Sequence, residues 1–156
     1  MQVKYLNSPL GWLEIKANEA GLQAVLFKEF EGESTAEQSY TKEVVNQLNA
    51  YFNKKLKAFD LPLSPMGTIF QKSVWKELLK VEYGKTSNYS TIAKQLGDIK
   101  KVRAVGMANG KNPISIIIPC HRIIGADGSL VGYAGGLQRK KKLLELEGVL
   151  TQTTLF

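Results

Sequence analysis

Apolar and polar residues alternate along roughly the first thirty positions and then, from about Thr35, recur at helical spacing. That one change of period splits the chain into a sheet-forming start and a helix-forming remainder. Val3 and Tyr5 alternate with Lys4, and Leu13 and Ile15 with Glu14 and Lys16, with turns at Ser8-Pro9-Leu10-Gly11 and Asn18-Glu19-Ala20-Gly21. An antiparallel meander is predicted, and residues 22–27, being more continuously apolar, are expected as its central strand. Val44, Leu48, Tyr51 and Phe52 then mark one face of an amphipathic helix that Lys54, Lys55 and Lys57 are expected to close. Pro62 and Pro65 bracket the best candidate linker, which gives lobes at 1–62 and 66–156.

The second lobe opens on Thr68-Ile69-Phe70-Gln71, a capping-box pattern, ahead of a buried helical face through Phe70, Val74, Trp75, Leu78 and Leu79. A two-turn helix is predicted from Tyr89, stopped at Gly97, with Asp98 capping the next helix through Ile99, Val102 and Val105. Two short helices joined in this way fit a helix-turn-helix, as they also fit a helical corner that binds nothing. The second of them, through Arg103, Ala104, Gly106, Met107 and Asn109, carries few long side chains for a major groove. Its small residues suit close approach to a minor groove, or equally to another helix. Residues 137–147 form a last helix, with Leu137, Leu143, Leu144 and Leu146 expected inward. The class is α+β.

No run approaches the roughly 18 apolar residues of a membrane span, and Met1-Gln2-Val3-Lys4 opens neither a signal nor a transit peptide. A cytoplasmic protein without membrane contact is expected, and nothing suggests more than a monomer. One cysteine and one histidine exclude an internal disulfide and a Cys/His structural zinc site, so no protein-held metal is expected. The 21 Lys and Arg against 14 acids leave a net charge of +7, which favours a polyanionic partner.

The single cysteine, Cys120, lies in Pro119-Cys120-His121-Arg122, after an apolar run at 114–118 that reads as a buried strand. A lone cysteine usually packs as a small hydrophobe. To act as a nucleophile it needs a base, because a thiol with a pKa near 8.5 is only about 3% thiolate at pH 7 and burial lowers that fraction. His121 is the one imidazole available. Neighbours in extended chain point to opposite sides, so a water is the simplest relay between them. That counts against a thiol hydrolase, whose base contacts the sulfur directly. The imidazole in turn needs a carboxylate, and spacing does not select among Asp98, Asp127, Glu145 and Glu147.

Asn112-Pro113, the run 116–123 around Pro119-Cys120-His121-Arg122, then Gly132-Tyr133-Ala134-Gly135-Gly136 and Leu146-Glu147-Gly148 resemble the O6-alkylguanine-DNA alkyltransferase family. The first lobe is similar more weakly, through Ser8-Pro9-Leu10-Gly11 and Gly21-Leu22. The resemblance implies a small ribonuclease-H-like lobe of antiparallel sheet plus helix. A mainly helical lobe with a winged-helix-like helix-turn-helix follows. It implies a DNA repair protein that flips O6-alkylguanine out of DNA and takes the alkyl group irreversibly on Cys120, once per molecule and without a cofactor. O4-alkylthymine is left open as a second substrate.

Carried over by position, the resemblance makes Cys120 the acceptor, His121 the water-mediated base and Glu147 the carboxylate holding the imidazole. Asn112 is then the brace of the cysteine turn, and Tyr89 the hydroxyl that donates toward guanine N3. Arg103 is the wedge that enters the base stack, on a helix whose Ala104 and Gly106 approach the minor groove. Tyr133 lies beside the base, and Ala134 offers a backbone amide to O6 where some relatives have serine. A DNA-binding sensor of alkylated bases that does no repair is the nearest rival, and relatives of that kind lack the reactive thiol. Arg122 is expected to bond nearby carbonyls. Arg139-Lys140-Lys141-Lys142, placed against the macrodipole of the last helix, are expected on a solvated face with a phosphate-facing role.

Overall fold

The computed structural model describes residues 1–150. They form two units, and the chain passes between them three times: residues 1–66 and 113–117 make the first, residues 67–112 and 118–150 the second.

The first unit is an antiparallel sheet of β1 (Gln2–Ser8), β2 (Gly11–Asn18) and β3 (Gly21–Lys28) against one helix, α1 (Ser39–Phe52). Leu13, Ile15 and Val25 of the sheet meet Val44, Leu48 and Tyr51 of α1 in its core, all at most 2% exposed. The central strand is β2, contrary to the expectation for residues 22–27. Their richer apolar content, interrupted by Gln23, has a different reason. The outer edge of β3 is covered by two single parallel bridges, Leu22 to Leu63 and Val25 to Ile114, and Leu22, Ala24 and Val25 are buried beneath them.

Residues 114–118 form no strand. After the Val25 bridge, in which Val25 N–H donates to Pro113 O and Ser115 N–H to Val25 O, the chain makes a γ-turn: Ile117 N–H donates to Ser115 O at 2.8 Å and Ile116 sits at φ 74°. A β-branched residue in that region is strained. The apolar run therefore reports burial without extended backbone. The lysines expected to close α1 also lie outside it: the helix ends at Phe52, and Lys54 adopts the left-handed conformation just beyond the Asn53 cap.

The second unit begins with α2 (Ile69–Leu78), whose capping box is complete, Thr68 accepting from Gln71 N–H and Gln71 accepting from Thr68 N–H. Buried Trp75 on α2 donates from Nε1 to Ala108 O at 2.9 Å, tying α2 to the last turn of α4 (Val102–Gly110). Between them, β4 (Ser87–Asn88) leads straight into α3 (Tyr89–Gln95), capped by the Asn88 side chain. Gly97, at φ 93°, and a 3-10 turn at Ile99–Lys101 capped by Asp98 connect α3 to α4 as the expected helix-turn-helix. A second 3-10 turn, Cys120–Arg122, runs into β5 (Ile123–Ile124), which pairs in parallel with β4.

The last helix, α5 (Leu137–Leu146), packs against the cysteine turn. Leu143 and Leu144 are buried, but Leu137 is 45% exposed and Lys140 is fully buried in its stead. The expectation that Lys140 faces phosphate is thereby overturned.

Candidate active site

Cys120 ends a chain reversal that the sequence specifies. Pro119, at φ −82° and ψ 62°, centres an inverse γ-turn in which Cys120 N–H donates to Ile118 O at 2.8 Å. The same carbonyl accepts from Asn112 Nδ2 at 2.8 Å, so the asparagine braces the turn by its backbone. The parallel pairing of Ser87 with Ile123 and of Asn88 with Ile124 then brings the start of α3, and with it Tyr89, beside the residues that follow the turn.

His121 follows Cys120 on the 3-10 turn and is wholly buried. Its Nε2 lies 2.7 Å from Oε2 of Glu147, the residue that caps α5. The same carboxylate receives the guanidinium of Arg122, at 2.8 Å from Nε and 3.1 Å from Nη2, while Arg122 Nη1 donates to Val81 O. A carboxylate held in that bidentate grip is an acceptor only, so Nε2 carries the imidazole proton. Nδ1 is then the unprotonated lone pair, buried and without a hydrogen-bond partner among the described residues. The four carboxylates left open by spacing are reduced to one, and Arg122, expected only on carbonyls, is a member of the cluster.

Charge in this cluster is balanced within itself. Arg122 and Glu147 neutralise each other, and burial holds His121 below the ordinary imidazole range despite the carboxylate beside it, so the ring is a neutral base. Burial also pushes the Cys120 thiol up; the Asn112 amide and the charge of Lys140 act in the opposite direction. At neutral pH the sulfur therefore carries its proton, which a reaction must remove.

Tyr89 stands between two glycines. A Cβ on Gly106 of α4 would meet its ring at 3.8 Å, and one on Gly132 would meet its hydroxyl at 3.4 Å. The hydroxyl donates to Val131 O at 3.2 Å, and burial with the nearby Cys120 raises its pKa. On α4, Arg103 and Ala104 are exposed and Gly106 half-buried, with exposed Met107 on the same face. Tyr133 is half-buried and Ala134 exposed, in the loop ahead of α5.

Sequence reasoning missed Lys140. Its Nζ donates to three backbone carbonyls, Ile123 at 2.5 Å, Val131 at 2.7 Å and Gly132 at 3.2 Å. The signal was present: Lys140 shares one face of α5 with Leu143, Leu144 and Glu147. A run of four cations concealed it. Among the described residues no group of three or more His, Cys, Asp or Glu could hold a metal ion, and no helix is long and apolar enough to cross a membrane.

Comparison with known proteins matches residues 1–65 to the 6-O-methylguanine DNA methyltransferase ribonuclease-like domain and residues 69–149 to the 6-O-methylguanine DNA methyltransferase DNA binding domain. A methylated-DNA--protein-cysteine methyltransferase of Methanosarcina barkeri is 46% identical over 153 residues, covering 94% of this chain and 97% of its own. The crystal structure of Mycobacterium tuberculosis O6-methylguanine methyltransferase superposes with a TM-score of 0.83 at 42% identity, over 99% of this chain and 98% of that one. A Mycobacterium tuberculosis structure in complex with DNA gives 0.83 at 43% identity, over 93% and 91%.

Proposed function

The chain belongs to the 6-O-methylguanine DNA methyltransferase family, and from that premise we propose that it repairs DNA by moving an alkyl group from O6 of guanine to Sγ of Cys120. The observation that carries this reading is the orientation of His121. Its Nε2–H is committed to Glu147, which leaves the Nδ1 lone pair as a base on the residue next to a protonated thiol. The two side chains make no direct hydrogen bond, and a bridging water takes the thiol proton to Nδ1.

The sulfur then attacks the alkyl carbon as the carbon–O6 bond breaks. The bonding electron pair leaves with guanine, the proton held by His121 returns to the base, and the products are guanine and an S-alkylcysteine. Glu147 stabilises the imidazolium formed on the way, and Arg122 holds that carboxylate in place. With guanine bound, Tyr89 turns its single hydroxyl hydrogen from Val131 O toward N3, and the Ala134 amide donates toward O6, where charge develops on the leaving group. A thioether has neither an acyl carbon for water nor a good leaving group, so each molecule reacts once.

Guanine in a duplex hides its O6 substituent, and extruding the nucleotide costs a few kcal/mol. In this reading α4 enters the minor groove, where exposed Ala104 and half-buried Gly106 allow close approach. The exposed Arg103 fills the space that the base leaves, and Tyr133 packs beside the flipped base. The working form is a monomer in the cytoplasm.

An intact-mass measurement after incubation with a duplex containing O6-methylguanine tests the reading. One methyl per protein molecule on Cys120, and none on Cys120→Ala, is the expected result. An unchanged mass, or methyl groups removed from DNA in excess of protein, would overturn it.

A further inference from the structure

Lys140 is the charged residue whose place the proposed chemistry does not use. Its side chain is fully buried, and all three ammonium hydrogens are accounted for by the carbonyls of Ile123, Val131 and Gly132. No carboxylate pairs with it among the described residues, so an entire positive charge is held in the interior by neutral dipoles alone. Such burial is costly, and the three hydrogen bonds are what offset it.

The three carbonyls come from two places that matter to the site. Ile123 directly follows the Cys120–Arg122 turn, and Val131 and Gly132 form the segment against the Tyr89 hydroxyl. Val131 O accepts from both Lys140 Nζ and Tyr89 Oη. One ammonium thus joins the thiol's turn to the anchor of the tyrosine. We propose that Lys140 is a positioning residue for the alkyl acceptor: it fastens Tyr89 and the Cys120 turn into one frame, and its charge favours the thiolate that forms on Cys120. The proposal rests on the alkyl-transfer reading above.

The electrostatics run in both directions. Lys140 draws the Cys120 thiol down against the effect of burial, and Cys120 in turn holds up the ammonium, which burial brings down to about 8. The ionisable groups set against Lys140 are Cys120, His121 and Arg122 of the 3-10 turn, Tyr89 of α3 and Glu147 at the end of α5, with Arg139 and Lys141 beside it on α5. The one carboxylate among them, Glu147, is already taken up by Arg122 and His121, so the counter-charge left for the ammonium is the thiolate once it forms. As the ammonium loses its proton above pH 8, both the three-carbonyl clasp and the counter-charge weaken. Alkyl transfer should therefore stop rising near pH 8, where a lone thiol would continue to gain reactivity.

The decisive measurements are the rate of methyl transfer from an O6-methylguanine duplex between pH 6.5 and 9.5, and the thiolate absorbance of the DNA-free protein over the same range. Cys120→Ala serves as the blank, since the chain has one cysteine. For wild type we expect a rate that levels off near pH 8. For Lys140→Met we expect a higher thiol titration midpoint, transfer at pH 7 slower by about tenfold for each unit of that rise, and no levelling. A wild-type rate that climbs steadily through pH 8 and beyond overturns the proposal even if the variant does not fold. So does a folded Lys140→Met with an unchanged thiol titration. Absence of methyl on wild-type Cys120 would instead sink the alkyl-transfer reading, while the DNA-free titration would still decide whether Lys140 governs the thiol.

Discussion

His121 and Glu147 share a 2.7 Å hydrogen bond that no solvent reaches, both side chains being 0% exposed. Because the same carboxylate also grips Arg122, its replacement leaves two buried groups to be satisfied at once. Glu147→Gln is expected to slow methyl transfer by about 10²-fold or more. It should also lower unfolding stability by about 3–5 kcal/mol, the range for a buried ion pair that loses one partner. Single-turnover kinetics and urea unfolding check the two effects separately, and a transfer rate within twofold of wild type would contradict the assignment of Glu147.

The buried imidazole has its own pH signature. Burial holds His121 below the pKa it has in the unfolded chain, near 6.5. Below that value the unfolded state binds the proton and the folded state does not, so stability falls as pH drops through about 6.5 toward the folded pKa. The slope contributed is at most about 1.4 kcal/mol per pH unit. Urea midpoints from pH 7.5 down to 5 should decline in wild type and remain flatter in His121→Gln; parallel curves would refute a neutral buried histidine.

Gly132 combines a φ of 58° with a Cβ position 3.4 Å from the Tyr89 hydroxyl. Gly132→Ala should cost about 1–2 kcal/mol through the left-handed backbone alone. The added methyl also comes into contact with the Tyr89 hydroxyl and crowds its bond to Val131 O. The expected result is a lower transfer rate on bound DNA, with affinity for undamaged DNA little changed. Equal losses in rate and affinity would show that Tyr89 is not the group disturbed.

Thr68 tests stability apart from chemistry. Its capping box on α2 is complete, and Thr68→Ala should cost about 1 kcal/mol. The methyl-transfer rate of the folded protein should stay at the wild-type value. A loss of rate at full folding would mean that the start of α2 takes part in the site.

What was legible in the sequence was whatever short-range pattern encodes. The Thr68–Gln71 box, the Asp98 cap and the glycine stop at Gly97 all stand where their spacing put them, because each is decided by bonds within a few residues. Long-range decisions were not legible. Spacing could not choose Glu147 over Asp98, Asp127 or Glu145, since the choice is made when α5 packs on the cysteine turn. The apolar run at 114–118 reported burial correctly and geometry wrongly, because a γ-turned segment can be as dry as a strand, and the run at 22–27 reported a bridged edge strand whose Leu22, Ala24 and Val25 are buried. Lys140 was hidden by its neighbours: in a run of four cations, which one turns inward depends on the face that Leu143 and Leu144 occupy.

The pairing of Val25 with Pro113 and Ser115 has a consequence for biosynthesis. While the chain is being made, β1, β2, β3 and α1 emerge first, yet the outer edge of β3 stays partly unclad until residues 113–117 arrive. An unpaired apolar edge is a template for pairing with another nascent chain. The interval between emergence of Val25 and of Ser115 is therefore a window of exposure to self-association, and it closes only once residues 113–117 are themselves clear of the ribosome.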